Sequence, residues 1–82
     1  MEPEAFVVHV VSELARRRPD DGDVLDLSWA EIGLDSLDLL ELAVRCEDEI
    51  GRPVPDAELV RWWRPRHVVA FIAGAAHPGG PA

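Results

Sequence analysis

The stretch from Gly33 to Leu42 constrains the fold and chemistry of this chain more than any other. It places Ser36 where a loop gives way to a strongly amphipathic, acidic helix. A hydroxyl at such a junction is exposed, lies near the positive end of the helix dipole and is supported by a rigid element. The stretch therefore predicts a suitable position for a phosphodiester-linked group.

Ser36 opens the second of four predicted helices, which spans about residues 36–49. At about 100° per residue, most of its apolar side chains fall on one face, which we assign to the core. Gly51 and Pro53 end the helix, because glycine favours a C-terminal cap and proline cannot continue the hydrogen bonding. The predicted core face consists of Leu39, Leu42, Ala43, Cys46 and Ile50.

Three further helices are predicted around it. The first runs from Pro3 to about Arg18, with proline at the first helical position and Arg16–Arg18 in the last turn, where cations are favourable. A short third helix is capped by Asp56 and reaches about Arg61, and a fourth spans about Pro65–Ala75. Their inward residues are Phe6, Val7, Val10, Val11, Leu14, Val68, Val69, Phe71 and Ile72.

Residues 24–33 form a long loop rich in apolar side chains, which must be pinned across a core because so much apolar surface is unfavourable in water. Within it, Ser28 is a candidate cap for a short turn, with Glu31 as its capping-box partner. We find no internal repeat and no convincing strand. The prediction is an all-α fold, a small bundle of three main helices plus one short helix over residues 1–76, followed by a flexible tail at 77–82.

Charge and size exclude several classes of function. The 82 residues allow one domain with one small core, and the formal net charge is −8 at pH 7. Nucleic acids and anionic membranes would be repelled, whereas basic protein surfaces would be attracted. Cys46 is the single cysteine, so no internal disulfide can form, and no signal peptide or membrane span is evident. We expect a soluble, monomeric, cytoplasmic protein.

Over about residues 6–75, this order of features resembles the acyl carrier protein family. Residues 31–38, Glu-Ile-Gly-Leu-Asp-Ser-Leu-Asp, look like the family's loop-to-helix junction. Residues 47–50, Glu-Asp-Glu-Ile, look like part of its acidic recognition helix, and residues 53–56, Pro-Val-Pro-Asp, resemble its entry into the third helix. Peptidyl carriers usually show Gly-Gly-Xaa-Ser-Leu at the junction, so the residues around Ser36 favour an acyl carrier. The pattern of the second helix, Trp62-Trp63 and the arginines look like those of a stand-alone polyketide carrier.

The resemblance implies a specific chemistry at Ser36. Its hydroxyl would receive 4'-phosphopantetheine from coenzyme A through a phosphopantetheinyl transferase that uses magnesium, and the thiol of this arm would carry acyl groups as thioesters. The protein would be a carrier and not an enzyme, serving a ketosynthase, an acyltransferase or a ligase. Asp35 would cap the helix and help to position the phosphate transfer. Without the family context, either Asp35 or Ser36 is adequately explained as a plain helix N-cap.

A small apolar patch with an acidic rim lies on the border of the second helix. Such a surface suits brief docking on basic enzyme surfaces, although the acids are also explained as the solvated face of a helix. The two explanations are compatible. The patch is Leu37, Leu40 and Val44, and the rim is Asp38, Glu41, Glu47 and Asp48.

Two features depart from the family pattern. Trp62 and Trp63 stand where fatty acid carriers border their acyl cavity, so these indoles would fill it or offer an aromatic platform for cargo. Packing in the core or a groove is favoured over cargo contact, and we expect a short, polar or polyketide-like cargo that stays mostly exposed. The second departure is a set of arginines expected to pair with acids of the second helix or to select a partner: Arg61, Arg64 and Arg66.

Two alternatives remain open: a carrier of an aminoacyl or other dedicated starter unit, and an unmodified helical adaptor with the same fold. No metal site is expected, because the three histidines show no ligand spacing with one another or with Cys46. No Gly-rich phosphate loop and no catalytic triad is indicated. Cys46 itself is interpreted as a small buried hydrophobic residue.

Overall fold

Three long helices, α1 (Pro3–Leu14), α3 (Ser36–Ile50) and α5 (Pro65–Ala75), build the molecule. The connections contain a 3₁₀ turn (Val24–Asp26) and two short helices, α2 (Trp29–Ile32) and α4 (Asp56–Leu59). The computed structural model describes residues 2–15 and 24–75, and no strand occurs within these two ranges. The all-α prediction is confirmed, with α2 as an additional short helix inside the long loop.

The core lies between the three long helices, and α1 packs most extensively against α5. On α3, the predicted core face is confirmed at Leu42, Ala43 and Cys46, whereas Leu39 and Ile50 are half-buried near the helix ends. Burial of one large aliphatic side chain is worth about 1.5–3 kcal/mol, so this cluster supplies the main driving force for folding. Its fully buried members include Val7, Val10, Val11, Ile32, Leu42, Cys46, Val68 and Ile72.

Two predicted helix boundaries are wrong. Helix α1 ends at Leu14 because Ala15 has an extended backbone, and the arginines assigned to its last turn lie outside the described residues. Helix α4 ends at Leu59, and Asp56 is its first helical residue rather than its cap; the N-cap is Pro55, whose side chain cannot accept a hydrogen bond. Asp56 instead places a carboxylate in the first turn, where it complements the helix dipole. Helix α5 is confirmed, and the predicted tail at 77–82 lies outside the described residues.

The predicted loop at residues 24–33 is held against the core as expected, with Leu25, Trp29 and Ile32 buried. The Glu31 backbone N–H donates to Ser28 Oγ at 3.3 Å, and the Ser28 N–H donates to Glu31 Oε1 at 2.8 Å. This reciprocal pair is the expected capping box. Gly33 ends α2 with φ 87°, a left-handed conformation that favours glycine because it lacks a Cβ.

Two arginines hold elements together. Arg66 donates to both carboxylate oxygens of Asp26, at 2.7 and 3.0 Å, and so ties α5 to the 3₁₀ turn. The predicted pairing of Arg66 with acids of α3 is therefore wrong, because the pinned connection places Asp26 against the start of α5. Arg45 joins α3 to α1 through Glu13 at 2.8 Å and also contacts Glu41 at 3.4 Å.

Among the described residues, no helix has the length and apolar character needed to cross a bilayer. In the same two ranges, no three His, Cys, Asp or Glu side chains are grouped so that they could hold a metal ion.

Candidate functional site

Ser36 is the first residue of α3, and its side chain is exposed. The residues before it are firmly held: Leu34 is buried, and its backbone N–H donates to the Trp29 carbonyl at 2.9 Å. After it come the fourteen remaining residues of α3, whose inner face lies in the core. The hydroxyl therefore stands on a rigid junction between a pinned loop and the longest helix.

Two carboxylates cap this helix. Asp35 Oδ1 accepts from the Asp38 backbone N–H at 3.0 Å, and Asp38 Oδ2 accepts from the Asp35 N–H at 3.0 Å. Capping by Asp35 is thus confirmed, and the explanation of Ser36 as the N-cap is wrong. Because its neighbours satisfy the cap, the Ser36 hydroxyl is not required for it.

The junction fits a phosphopantetheine arm. A phosphodiester on Ser36 would carry a negative charge at the N-terminus of α3, where the helix dipole favours anions. The exposed hydroxyl can be reached by a modifying enzyme without unfolding the helix. The apolar side chain of Leu37, beside it, is 73% exposed and free to contact an arm or a partner.

The predicted apolar patch is present. Leu37, Leu40 and Val44 are all large exposed hydrophobic residues, and their spacing of three and four places them on one side of α3. Isolated exposed apolar residues are ordinary, but a row of three on one helix forms a contiguous surface.

The predicted acidic rim separates into two kinds of residue. Glu41 and Asp48 are exposed, although Glu41 is also paired with Arg45. Asp38 belongs to the helix cap, and Glu47 Oε2 accepts from the Val54 backbone N–H at 2.8 Å. Asp38 and Glu47 therefore have structural roles, whereas Glu41 and Asp48 are the acids best placed for a partner.

The two neighbouring tryptophans have different environments. Trp62 is 3% exposed, its ring meets Phe71 edge-on at 5.8 Å, and its Nε1–H donates to Glu58 Oε2 at 2.9 Å. Trp63 is 69% exposed, and its Nε1–H donates to the Val60 carbonyl at 3.2 Å. The expectation of packing is confirmed for Trp62 and wrong for Trp63.

Sequence reasoning missed a connection between the loop and these tryptophans. The buried Trp29 Nε1–H donates to the Trp62 carbonyl at 2.7 Å, across 33 positions of sequence. No local sequence pattern predicts a hydrogen bond between residues so far apart in the chain. The Glu58–Trp62 bond could not be predicted from helical spacing either, because α4 ends at Leu59 and Trp62 lies beyond it.

Local bonding shifts the pKa of several groups. Hydrogen bonds with the Ser28 backbone and hydroxyl lower the pKa of Glu31, and the charge of Arg64 lowers it further. The hydrogen bond from Arg45 lowers the pKa of Glu13 and raises that of Arg45 itself. Burial raises the pKa of the Cys46 thiol to about 12, so this cysteine is protonated and unreactive at neutral pH.

Comparisons with known proteins agree with this geometry. A family profile described as "Phosphopantetheine attachment site" matches residues 5–72. The chain is 33% identical over 69 residues to the tetracenomycin polyketide synthase acyl carrier protein of Streptomyces glaucescens, covering 80% of each chain. It is 44% identical over 54 residues to the actinorhodin polyketide synthase acyl carrier protein of Streptomyces coelicolor, covering 66% of this chain and 63% of that protein.

Solved structures give the same result. The hexanoyl acyl carrier protein from the actinorhodin polyketide synthase of Streptomyces coelicolor aligns with a TM-score of 0.70 at 37% identity, over 84% of each chain. The acetyl form of the actinorhodin acyl carrier protein aligns with a TM-score of 0.71 at 32% identity, over 94% of this chain and 93% of that one. Because profile, relatives and fold agree over most of its length, this chain belongs to the phosphopantetheine-binding family of acyl carrier proteins.

Proposed function

We propose that Ser36 carries the 4'-phosphopantetheine arm and that the loaded protein serves polyketide biosynthesis. The observation that carries the proposal is the exposed hydroxyl at the first position of α3, inside the matched segment, where Asp35 and Asp38 make the cap without it. The polyketide assignment is supported by the names of the relatives, which are acyl carriers of polyketide synthases.

The arm supplies a terminal thiol on which acyl intermediates are held as thioesters. The chain's own residues present that arm. Ser36 forms the phosphodiester bond, the capping pair keeps the first turn of α3 folded, and Leu34 fixes the loop behind it. We propose that the protein does not itself catalyse a reaction, and that its partners supply the acids and bases.

The docking surface combines Leu37, Leu40 and Val44 with the carboxylates of Glu41 and Asp48. Partners with basic patches around an apolar contact are favoured, because small polar-rimmed interfaces suit transient encounters and opposite charges speed them. We propose a phosphopantetheinyl transferase, a ketosynthase and an acyltransferase or ligase as these partners, meeting a monomeric carrier in the cytoplasm.

Intact mass spectrometry tests the attachment. The chain contains three serines, no threonine and no tyrosine, so few hydroxyls compete. The protein is incubated with coenzyme A, magnesium and a broad-specificity phosphopantetheinyl transferase, beside Ser36→Ala and the matched control Ser28→Ala. We expect one phosphopantetheine on the wild type and on Ser28→Ala, and none on Ser36→Ala. A well-folded wild type that gains no mass would contradict the proposal and favour an unmodified adaptor.

The pathway is tested with the holo-protein. Loading of malonyl groups by an acyltransferase of polyketide synthesis supports the proposal. Preferential loading of an amino acid by an adenylating ligase would instead identify an aminoacyl carrier.

A further inference from the structure

An apolar acyl group tethered beside a small helical core can either enter the core or remain on the protein surface. It gains free energy by leaving water, so it enters the bundle if the packing gives way and stays on the surface if it does not. The candidates for deciding this lie in segment 54–63, which contains α4 and connects α3 to α5 along the chain.

Segment 54–63 is fastened near both ends. At its start, the backbone N–H of Val54 donates to Glu47 on α3 at 2.8 Å. Near its end, the carbonyl of Trp62 accepts from the buried Trp29 indole at 2.7 Å, on the loop that precedes Ser36. Moving α4 away from α3 would break bonds whose partners are partly or fully buried, and a buried polar group without a partner is costly.

The Trp62 indole of this segment is buried in the core. Its ring packs edge-on against Phe71 of α5, and its N–H is bonded to Glu58 of α4, so its position is fixed from two sides. Because protein interiors are close-packed, a chain of several methylenes could enter here only by displacing the indole. The exposed Trp63 presents no such obstacle.

We propose that Trp62 closes the interior of this bundle to the acyl group, so that a chain carried on the arm stays on the protein surface. The inference rests on the proposed attachment at Ser36. It identifies the cargo by chemistry, as acyl groups that tolerate water because they are short or carry oxygen, rather than long saturated chains.

Acyl loading followed by NMR tests whether Trp62 keeps the acyl chain out of the core. The protein is loaded with butyryl, hexanoyl and octanoyl phosphopantetheine from the corresponding acyl-coenzyme A, and intact mass confirms each product before spectra are recorded. We expect the methyl signals of the buried Leu42, Val68 and Ile72 to be the same for all chain lengths in the wild type. In Trp62→Leu they should shift progressively with chain length, and the melting temperature should rise with each added pair of carbons.

Trp63→Ala is the matched control, since it removes a neighbouring indole without opening the core, and it should behave as the wild type. Buried methyl signals that move with chain length in the wild type would overturn the proposal. So would a Trp62→Leu protein whose signals stay fixed, because another residue would then exclude the chain.

A second measurement does not depend on the arm. Xenon enters dry apolar cavities, so under xenon pressure the unmodified Trp62→Leu protein should show shifted methyl signals that the unmodified wild type and Trp63→Ala do not. Equal shifts in all three would contradict the proposal, whereas a missing mass gain in the loading step counts only against attachment at Ser36.

Discussion

Asp35 caps α3, and a contribution to the phosphate transfer is also predicted for it; one pair of substitutions can separate the two. Asp35→Ala removes the N-cap bond to Asp38, and loss of an N-cap costs about 1 kcal/mol. Asp35→Asn keeps an oxygen acceptor, and Asn and Asp are comparable N-caps. We expect urea denaturation to show a lower unfolding free energy for Asp35→Ala and near wild-type stability for Asp35→Asn.

The same variants report on modification. If Asp35→Asn is stable but is modified slowly by the transferase, the carboxylate contributes to the transfer as well as to the cap. Wild-type stability in Asp35→Ala would contradict the capping role.

The buried thiol of Cys46 predicts that the folded protein loses stability at alkaline pH. Its pKa rises from 9.0 to about 12 on burial, so the folded protein keeps the thiol proton that the unfolded chain releases. This contribution to stability is complete below pH 9 and is lost as pH rises toward 12, by up to about 1.4 kcal/mol for each pH unit. All eight basic residues are arginine and the chain has no tyrosine, so no other side chain titrates in this window.

The measurement is urea unfolding of the unmodified protein between pH 8 and 10.5. We expect stability to decline above pH 9 in the wild type and to stay nearly constant in Cys46→Ala. An equal decline in both proteins would show that Cys46 is not the source.

At the scale of elements, the sequence predicts the helices and caps that depend on local chemistry. It does not predict the features that contacts between distant residues determine. Periodicity and proline placement correctly predicted α3 and α5, and the Ser28–Glu31 spacing predicted the cap of α2. The third predicted helix was assigned a cap at Asp56 because carboxylates commonly cap helices, but the extended backbone of Pro55 starts the helix one residue earlier.

In the candidate site, too, the locally determined residues could be predicted and those positioned by distant contacts could not. Ser36 and its capping acids are consecutive or nearly so, so a short motif predicts them. The different environments of Trp62 and Trp63 depend on Phe71 and on the pinned loop through Trp29, contacts that no local spacing specifies. Likewise, Arg66 pairs with Asp26, 40 positions away, because the tertiary fold brings α5 to the 3₁₀ turn.

Two adjacent acids of α3 should differ in what they do. Glu47 holds the start of segment 54–63 through the Val54 N–H, and a polar group left unsatisfied on burial costs about 1–3 kcal/mol. Asp48 is exposed, and such surface changes usually stay within about 0.5 kcal/mol. Chemical denaturation should therefore show clear destabilisation in Glu47→Ala and little change in Asp48→Ala.

Glu47→Gln is the control for charge, since it keeps an acceptor for Val54 and should retain most of the stability. Equal stability of Glu47→Ala and Asp48→Ala would mean that the Val54 bond does not hold the segment.

Over the whole molecule, the net charge of −8 is unevenly distributed. Most acids of α3 lie on its outer surface around the apolar patch, whereas Arg61, Arg64 and Arg66 cluster on and before α5. Of these three, Arg66 is paired with Asp26. Among the described residues, the exposed acids of α3 place negative charge beside the proposed docking surface, which favours the approach of a basic partner.

This field predicts that modification depends on salt. The screening length falls from about 30 Å at 0.01 M to about 10 Å at 0.1 M ionic strength, and electrostatic steering raises association rates by about tenfold or more. We expect kcat/KM of the transferase to fall roughly tenfold over this range. The change should be mainly in KM, because charges at the edge of an interface affect the rate of association. Asp48→Lys should flatten the dependence, whereas Glu4→Lys makes the same change of net charge on α1 and should keep most of it. If the rates of both variants depend on salt in the same way, net charge rather than the α3 surface governs the encounter. If the wild-type rate does not depend on salt, docking is driven by Leu37, Leu40 and Val44 alone.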